Sequence, residues 1–142
     1  MRTINQILQA KGTETYAVGP DEPVLKALQL MAERHVGALV VMQGTVLAGI
    51  ISERDYARKV VLLGRSSADT PVAQIMSTPV TTVNRSMSVN DCLALMTDKR
   101  VRHLPVVEEG RVLGMLSIGD CVKAVIDDQR QHIEDLERFI RT

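Results

Sequence analysis

Two short stretches of this 142-residue chain carry polar side chains at a spacing that chemistry could use. They are Gly49-Ile50-Ile51-Ser52-Glu53-Arg54-Asp55 and Gly114-Met115-Leu116-Ser117-Ile118-Gly119-Asp120. Each reads as the end of an aliphatic strand, after which a Ser and an Asp three residues apart open a helix. That spacing makes a capping box, in which the Ser oxygen takes the third helical amide and the acid reaches back; such a cap contributes about 1 kcal/mol. The same geometry also suits a ligand. A helix N-terminus offers unpaired N–H groups and a positive dipole end to a phosphate. A carboxylate in its first turn can accept two hydrogen bonds from vicinal ribose hydroxyls, and Arg54 adds a fixed charge in the first copy. The cap is the commoner of the two readings, and on these residues alone both stay open.

Catalysis finds less support. The polar residues shared by the two stretches are one Ser and one Asp, and neither has a His or Lys beside it in both copies to act as base. No carboxylate pair or metal-ligand spacing occurs; Asp128 and His132, four apart, make an ordinary surface pair. The expectation is a protein without catalytic residues and without a metal.

Charge and composition narrow the partners. Lys+Arg and Asp+Glu both number 17, so the formal net charge is zero. A chain that wraps nucleic acid or lies on an anionic membrane carries a basic excess. Aromatic residues are 2% of the total, too few for base-stacking platforms. The hydrophobic share of 45% is mostly aliphatic and sufficient for a core. No apolar run approaches the roughly 20 residues that span a bilayer, and the opening residues Met1–Gln6 lack a signal-peptide core. Cys92 and Cys121 sit among apolar neighbours without CxxC spacing, and read as reduced small hydrophobes. A cytoplasmic location is expected.

The two polar stretches are positioned by a repeat. A shift of 65 residues lays 18–60 on 83–125 without a gap, with identity at 12 of 43 positions, including Val24/Val89, Met31/Met96, Leu39/Leu104, Gly49/Gly114, Ser52/Ser117 and Asp55/Asp120. Such a period marks a duplicated supersecondary unit. Each unit reads β-α-β-β-α. An extended piece (15–18; 80–83) precedes a helix with Val24, Leu28 and Met31, or Val89, Cys92, Leu93 and Met96, on one face. Pro23 starts the first of these helices, and Ser88 with Asp91 forms a capping box at the second. Hairpin turns follow at Gln43-Gly44 and at Glu108-Glu109-Gly110, and a second helix begins near Glu53 and near Ile118. Leu63–Thr70 reads as the linker, after which Thr70-Pro71 restarts a short helix. Late in the chain, Val122, Val125, Ile126, Gln129, Ile133, Leu136 and Ile140 keep helical spacing. This long helix either packs on a second subunit or folds back onto Ile4, Ile7 and Leu8 of an N-terminal helix. The fold class is α/β with layered α+β character. Residues 1–66 are the first repeat with its N-terminal helix, and 67–142 are the second with the C-terminal helix. Each unit is small for a lone core, so the two are expected to pack through their sheets.

These residues resemble a known family, the cystathionine-β-synthase (CBS) domain, here a free-standing tandem pair of the kind called a Bateman module. The Gly49–Asp55 stretch is similar to the family's G-h-h-[ST]-x-x-D signature. Val101-Arg102-His103-Leu104-Pro105-Val106-Val107 is similar to its h-x-x-h-P-V-h strand, and Ile75-Met76-Ser77-Thr78-Pro79-Val80 to its IM-[ST]-x-P-V lead-in. The resemblance covers about Thr3 to Val125.

What the resemblance implies is a regulatory module that binds adenosine-containing ligands, such as AMP, ADP, ATP, NAD or S-adenosylmethionine, in clefts between its repeats. Asp55 and Asp120 would hold the ribose hydroxyls of two sites, with Ser52 and Ser117 near ribose or phosphate. Thr15, Ala17, Val36, Gly37 and Ala38 would bracket one adenine. Val80, Thr82, Arg102, His103, Leu104 and the strand-motif Pro105 would bracket the other. The copies differ: Gly119 stands where the first has Arg54, and Val40 where the second has Pro105, so two unlike sites are expected. The basic run Lys99-Arg100-Val101-Arg102-His103 fits either a solvated helix end or a phosphate contact. The family implies a homodimer through module pairing, with an effector protein acting in trans. A ligand-free homodimerisation or partner-interaction module is the alternative.

Overall fold

A computed structural model describes residues 2–141. Among them are five α-helices and two small sheets, in a mixed α/β fold. The order is α1 (Ile4–Lys11), β1 (Ala17–Val18), α2 (Val24–Arg34), β2 (Ala38–Gln43), β3 (Val46–Ser52), α3 (Glu53–Tyr56), α4 (Val89–Lys99), β4 (His103–Glu108), β5 (Arg111–Ser117) and α5 (Ile118–Arg141). A π-turn over Ala57–Val61 continues α3, and a 3₁₀ turn over Val72–Gln74 follows the linker. The chain forms two compact bodies. One is Thr15–Thr81 with Gly110–Val112; the other is residues 2–14, Thr82–Glu109 and 113–141.

In the first body β2 lies between β1, parallel to it, and β3, antiparallel, with Ala17 opposite Val40 and Ala38 opposite Ser52. Four successive residues of β2, Ala38–Val41, are buried, as a strand covered on both faces requires. The turn into β3 uses Gly44 at φ 64°, a conformation that glycine adopts without side-chain strain. In the second body β4 and β5 form a two-stranded sheet, and the lead-in is reduced to one parallel bridge, Val83 to Val106. Their hairpin has Glu109 and Gly110 both at positive φ, 51° and 76°, the geometry that matches strand twist in a two-residue turn.

The repeat is carried by the cores. Val18, Val24, Met31, Leu39, Val41 and Ile51 are buried together in one body, and Val83, Val89, Met96, Leu104, Val106 and Leu116, each 65 residues on, in the other. The first-layer helices also end alike. His35 and Arg100 take left-handed φ values of 55° and 56°, and the next amides, Val36 and Val101, donate back to Met31 and Met96 at 3.1 and 3.0 Å. This Schellman ending satisfies late helix carbonyls and turns the chain toward β2 and β4. At the start of α4 only half of the expected box forms: Ser88 Oγ accepts from Asp91 N at 3.1 Å, while Thr3 bridges to Ser88.

One organisation differs from the sequence expectation. Helix α1 packs in the body of the second repeat, where Ile4, Ile7 and Leu8 join Cys121 and Ala124 in the core. The segment 71–77, which leads into the second repeat, instead packs on the first, with Val72 and Ile75 in its core. It adds an antiparallel bridge to β3, Ser77 N to Ile50 O at 2.8 Å and Ile50 N to Ser77 O at 3.1 Å. The reason is apolar burial: α1 fills the core of the second repeat's body, and the 71–77 segment that of the first.

The repeated glycines make this crossing fit. A Cβ on Gly49 would lie 2.6 Å from Met76 Sδ and 3.1 Å from the Ser77 carbonyl; one on Gly114 would lie 2.9 Å from Leu8 Cδ2. Gly49→Ala is therefore expected to lower stability by about 1–3 kcal/mol, read as a reduced denaturant midpoint. Gly114→Ala should cost less, because only the tip of Leu8 must move.

Candidate functional site

The two Ser/Asp stretches fold as capped strand-to-helix junctions. At the first, Asp55 N donates to Ser52 Oγ at 3.2 Å, and Ser52 N donates to Asp55 Oδ2 at 2.9 Å. At the second, Asp120 N reaches Ser117 Oγ at 3.1 Å, and Ser117 N reaches Asp120 Oδ2 at 2.8 Å. A further bond recurs at each. Glu53 N donates to Gly37 O at 3.1 Å, and Ile118 N to Arg102 O at 2.8 Å. The residues just before β2 and β4 are thereby tied to the first turn of the following helix. The capping geometry anticipated from the spacing is present at both junctions.

In the first body this gathers Val36, Gly37 and Ala38, Ser52, Arg54 and Asp55 at one end of the sheet, with Ala17 on the adjoining strand and Thr15 just before it. In the second body Arg102, His103, Leu104 and Pro105 lie along the start of β4 beside Ser117 and Asp120, with Thr82 preceding the Val83 bridge. Val80 belongs to the first body, so the second expected set is not assembled within one body. Leu104 is wholly buried in the core, and Ala38 and Pro105 are buried as well.

The sequence reading missed three polar partners, and they differ between the bodies. Asp55 Oδ1 receives Ser77 Oγ and Lys59 Nζ, each at 3.2 Å, while Oδ2 also receives Ser52 Oγ at 3.1 Å. Lys59 additionally donates to Ile75 O at 2.9 Å. Both carboxylate oxygens of Asp55 are thus engaged internally. Asp120 is held by Lys11 from α1, whose Nζ lies 2.7 Å from Oδ2 and 2.8 Å from Met115 O. Among the described residues no donor meets Asp120 Oδ1. Lys59 lies one helical turn from Asp55, a legible spacing. Lys11 is 109 residues from Asp120 and carries no sequence signal.

Electrostatics concentrate at the second junction. Burial works to raise the Asp120 pKa, but the Lys11 hydrogen bond and charge, together with the Ser117 amide and hydroxyl, outweigh it and hold it below the ordinary carboxylate value. Burial lowers the His103 pKa, opposed by the Asp120 charge and reinforced by Lys11 and Arg102. His103 is therefore neutral at pH 7, poised between an anion and two cations. Burial also pushes the free thiols of Cys92 and Cys121 up to about 11 and about 12, which leaves them inert. The Lys99–Arg100 part of the basic run closes α4 in solvent, and Arg102 and His103 lie at the junction.

These shifts set a pH dependence. A His bound less tightly to its proton in the folded chain stabilises the fold above its ordinary value of 6.5, and that contribution is lost as pH falls from there toward the folded value. His103→Gln should flatten the stability profile below pH 6.5, by up to about 1.4 kcal/mol per pH unit. Lys11→Met removes a repelling cation, so the His103 titration followed by NMR should move to higher pH. An unmoved titration would show that Lys11 does not act on this site.

Comparison with known proteins agrees with this geometry. The CBS domain profile matches residues 13–62 and 72–127, one match per repeat. The chain is 38% identical to the mitochondrial CBS domain-containing protein CBSX3 of Arabidopsis thaliana, across 98% of this chain and 72% of that one. It is 51% identical to a solved CBS-domain protein of Burkholderia ambifaria MC40-6, described as a candidate signal-transduction protein, with a TM-score of 0.87 over 90% of this chain and 96% of that one. A second solved structure, CBS domain NE2398, is 47% identical with a TM-score of 0.84 over 88% and 98% of the two chains. Two profile matches on two capped repeats lead to one conclusion: the chain belongs to the CBS domain family and carries a tandem pair of its domains.

Proposed function

We propose that the chain is a non-catalytic regulatory module that binds an adenosine-containing ligand, such as AMP, ADP, ATP or NAD, and transmits ligand state through the orientation of its repeats or the geometry of a homodimer. The effector it regulates acts in trans. Ser52 Oγ and Ser117 Oγ are both committed to caps, which speaks against a nucleophilic role. The observation that carries the reading is Asp120: its Oδ2 is fixed by a cap and a lysine while Oδ1 has no donor among the described residues.

The donor chemistry suits such a ligand. Asp120 Oδ1 can accept from a ribose hydroxyl, and the cations Lys11 and Arg102 offset phosphate charge where Gly119 offers none. His103 would gain a proton beside an added anion. Asp55 is less available, since a ribose there must displace Ser77 or Lys59. The second repeat is accordingly the primary site and the first the weaker one. Coupling to a partner equals the ligand's differential affinity for the two module states.

Thermal unfolding with AMP, ADP, ATP, NAD and S-adenosylmethionine tests this. A ligand at a hundredfold excess over its Kd should stabilise the wild type by about 2.7 kcal/mol. Asp120→Asn should lose that stabilisation, Asp55→Asn should largely retain it, and Lys11→Met should weaken phosphate-bearing ligands more than adenosine. Absence of stabilisation by every ligand would favour the alternative, a ligand-free interaction module, for which the exposed run Val61, Leu62 and Leu63 speaks.

A further inference from the structure

Helix α5 has 24 residues, yet Cys121 and Ala124 are its only fully buried ones among those described. Its near end is held by the core around α1 and by Arg2, whose guanidinium pairs with Asp127 at 3.7 Å and Asp128 at 2.9 Å. The fold-back onto α1, one of the two placements the sequence left open, thus accounts for the first turns. Beyond them a second stripe runs along the helix: Val122, Ile126, Gln129, Ile133, Leu136 and Ile140, at intervals of 4, 3, 4, 3 and 4. At about 100° per residue this stripe lies more than a third of a turn from Cys121 and Ala124. It remains in solvent, with Ile126 42%, Ile133 55%, Leu136 49% and Ile140 80% exposed.

An apolar repeat of 3.5 residues is the pattern of a two-helix seam rather than of a face laid on a globular core. Ile126, Ile133 and Ile140 take the a positions, and Val122, Gln129 and Leu136 the d positions. We propose that this seam pairs with the same seam of a second copy of the chain, parallel and in register. Three features select that occupant. β-Branched Ile at all three a positions, with Leu136 at one d position, favours two parallel strands. Gln129 then faces Gln129 of the second copy, where amide donates to amide; in an antiparallel pair it faces an isoleucine, which leaves its polar atoms unmatched. His132 at g stands opposite Glu137 of the second copy at e, a complementary pair. The rest of the helix is unsuited to lipid, because Asp127, Asp128, Glu134, Asp135 and Glu137 would meet anionic headgroups. Since the body anchors the near end of α5, pairing does not have to bear the full cost of helix nucleation.

Disulfide trapping in the full chain tests the register. Leu136→Cys places identical thiols across the seam, whereas Glu134→Cys places them on the outer face. The native Cys92 and Cys121 are buried with raised pKa values and do not compete. Under mild oxidation Leu136→Cys should form the cross-linked dimer in several-fold higher yield than Glu134→Cys, and adding Ile133→Asp should abolish the difference. Unfolding of each variant before oxidation checks the fold, and these exposed positions should leave it unchanged. Equal yields from the two cysteines, no cross-link at 136, or a yield insensitive to Ile133→Asp would each overturn the proposal.

Discussion

The capped strand-to-helix junction is the interaction around which each repeat is organised. A helix that starts directly at a strand end leaves its first amides without partners. Here a Ser takes one, an Asp returns to the Ser amide, and the carbonyl before the neighbouring strand takes another. The strand end, the helix start and the entry to the central strand are thus bound to one another through a few atoms. The carboxylate that completes the cap is half-buried and charged, so it requires a cation. That requirement recruits Lys59 in one body and Lys11 in the other, and the difference between the two sites follows from it.

The lysines show how a near-symmetric repeat becomes chemically unequal. Lys59 acts within its own helix turn, and Ser77 joins it, so Asp55 is satisfied from all sides. Lys11 comes from α1, which completes the second repeat from the far end of the chain. It engages one carboxylate oxygen, Oδ2. Its charge also lowers the affinity of His103 for a proton. The cation absent from position 119 is therefore supplied by a segment outside the repeat.

Much of the fold was legible from the residues. The 65-residue repeat located both cores, because the identical aliphatic pairs are the residues that must avoid water. Gly44 and Gly110 marked the hairpins through their backbone freedom. Helix α1 precedes the first repeat in the chain yet packs in the body of the second, since apolar spacing identifies a buried face but not the sheet it covers. The spacing of Gly49 and Gly114 is a local feature, but the need for glycine there comes from Met76 and Leu8 lying against them. Of the residues that the resemblance placed beside adenine, Leu104 and Ala38 are buried in the core.

The sequence by itself determined the local elements: the Ser-x-x-Asp caps, the aliphatic strands, the glycine turns and the 3.5-residue seam of α5 all follow from short-range spacing. Tertiary structure decided which lead-in covers which sheet and which cation meets which aspartate. Those outcomes depend on contacts up to 109 residues apart. Burial and charge pairing select them only once the whole chain is assembled, and no local pattern of residue types encodes them.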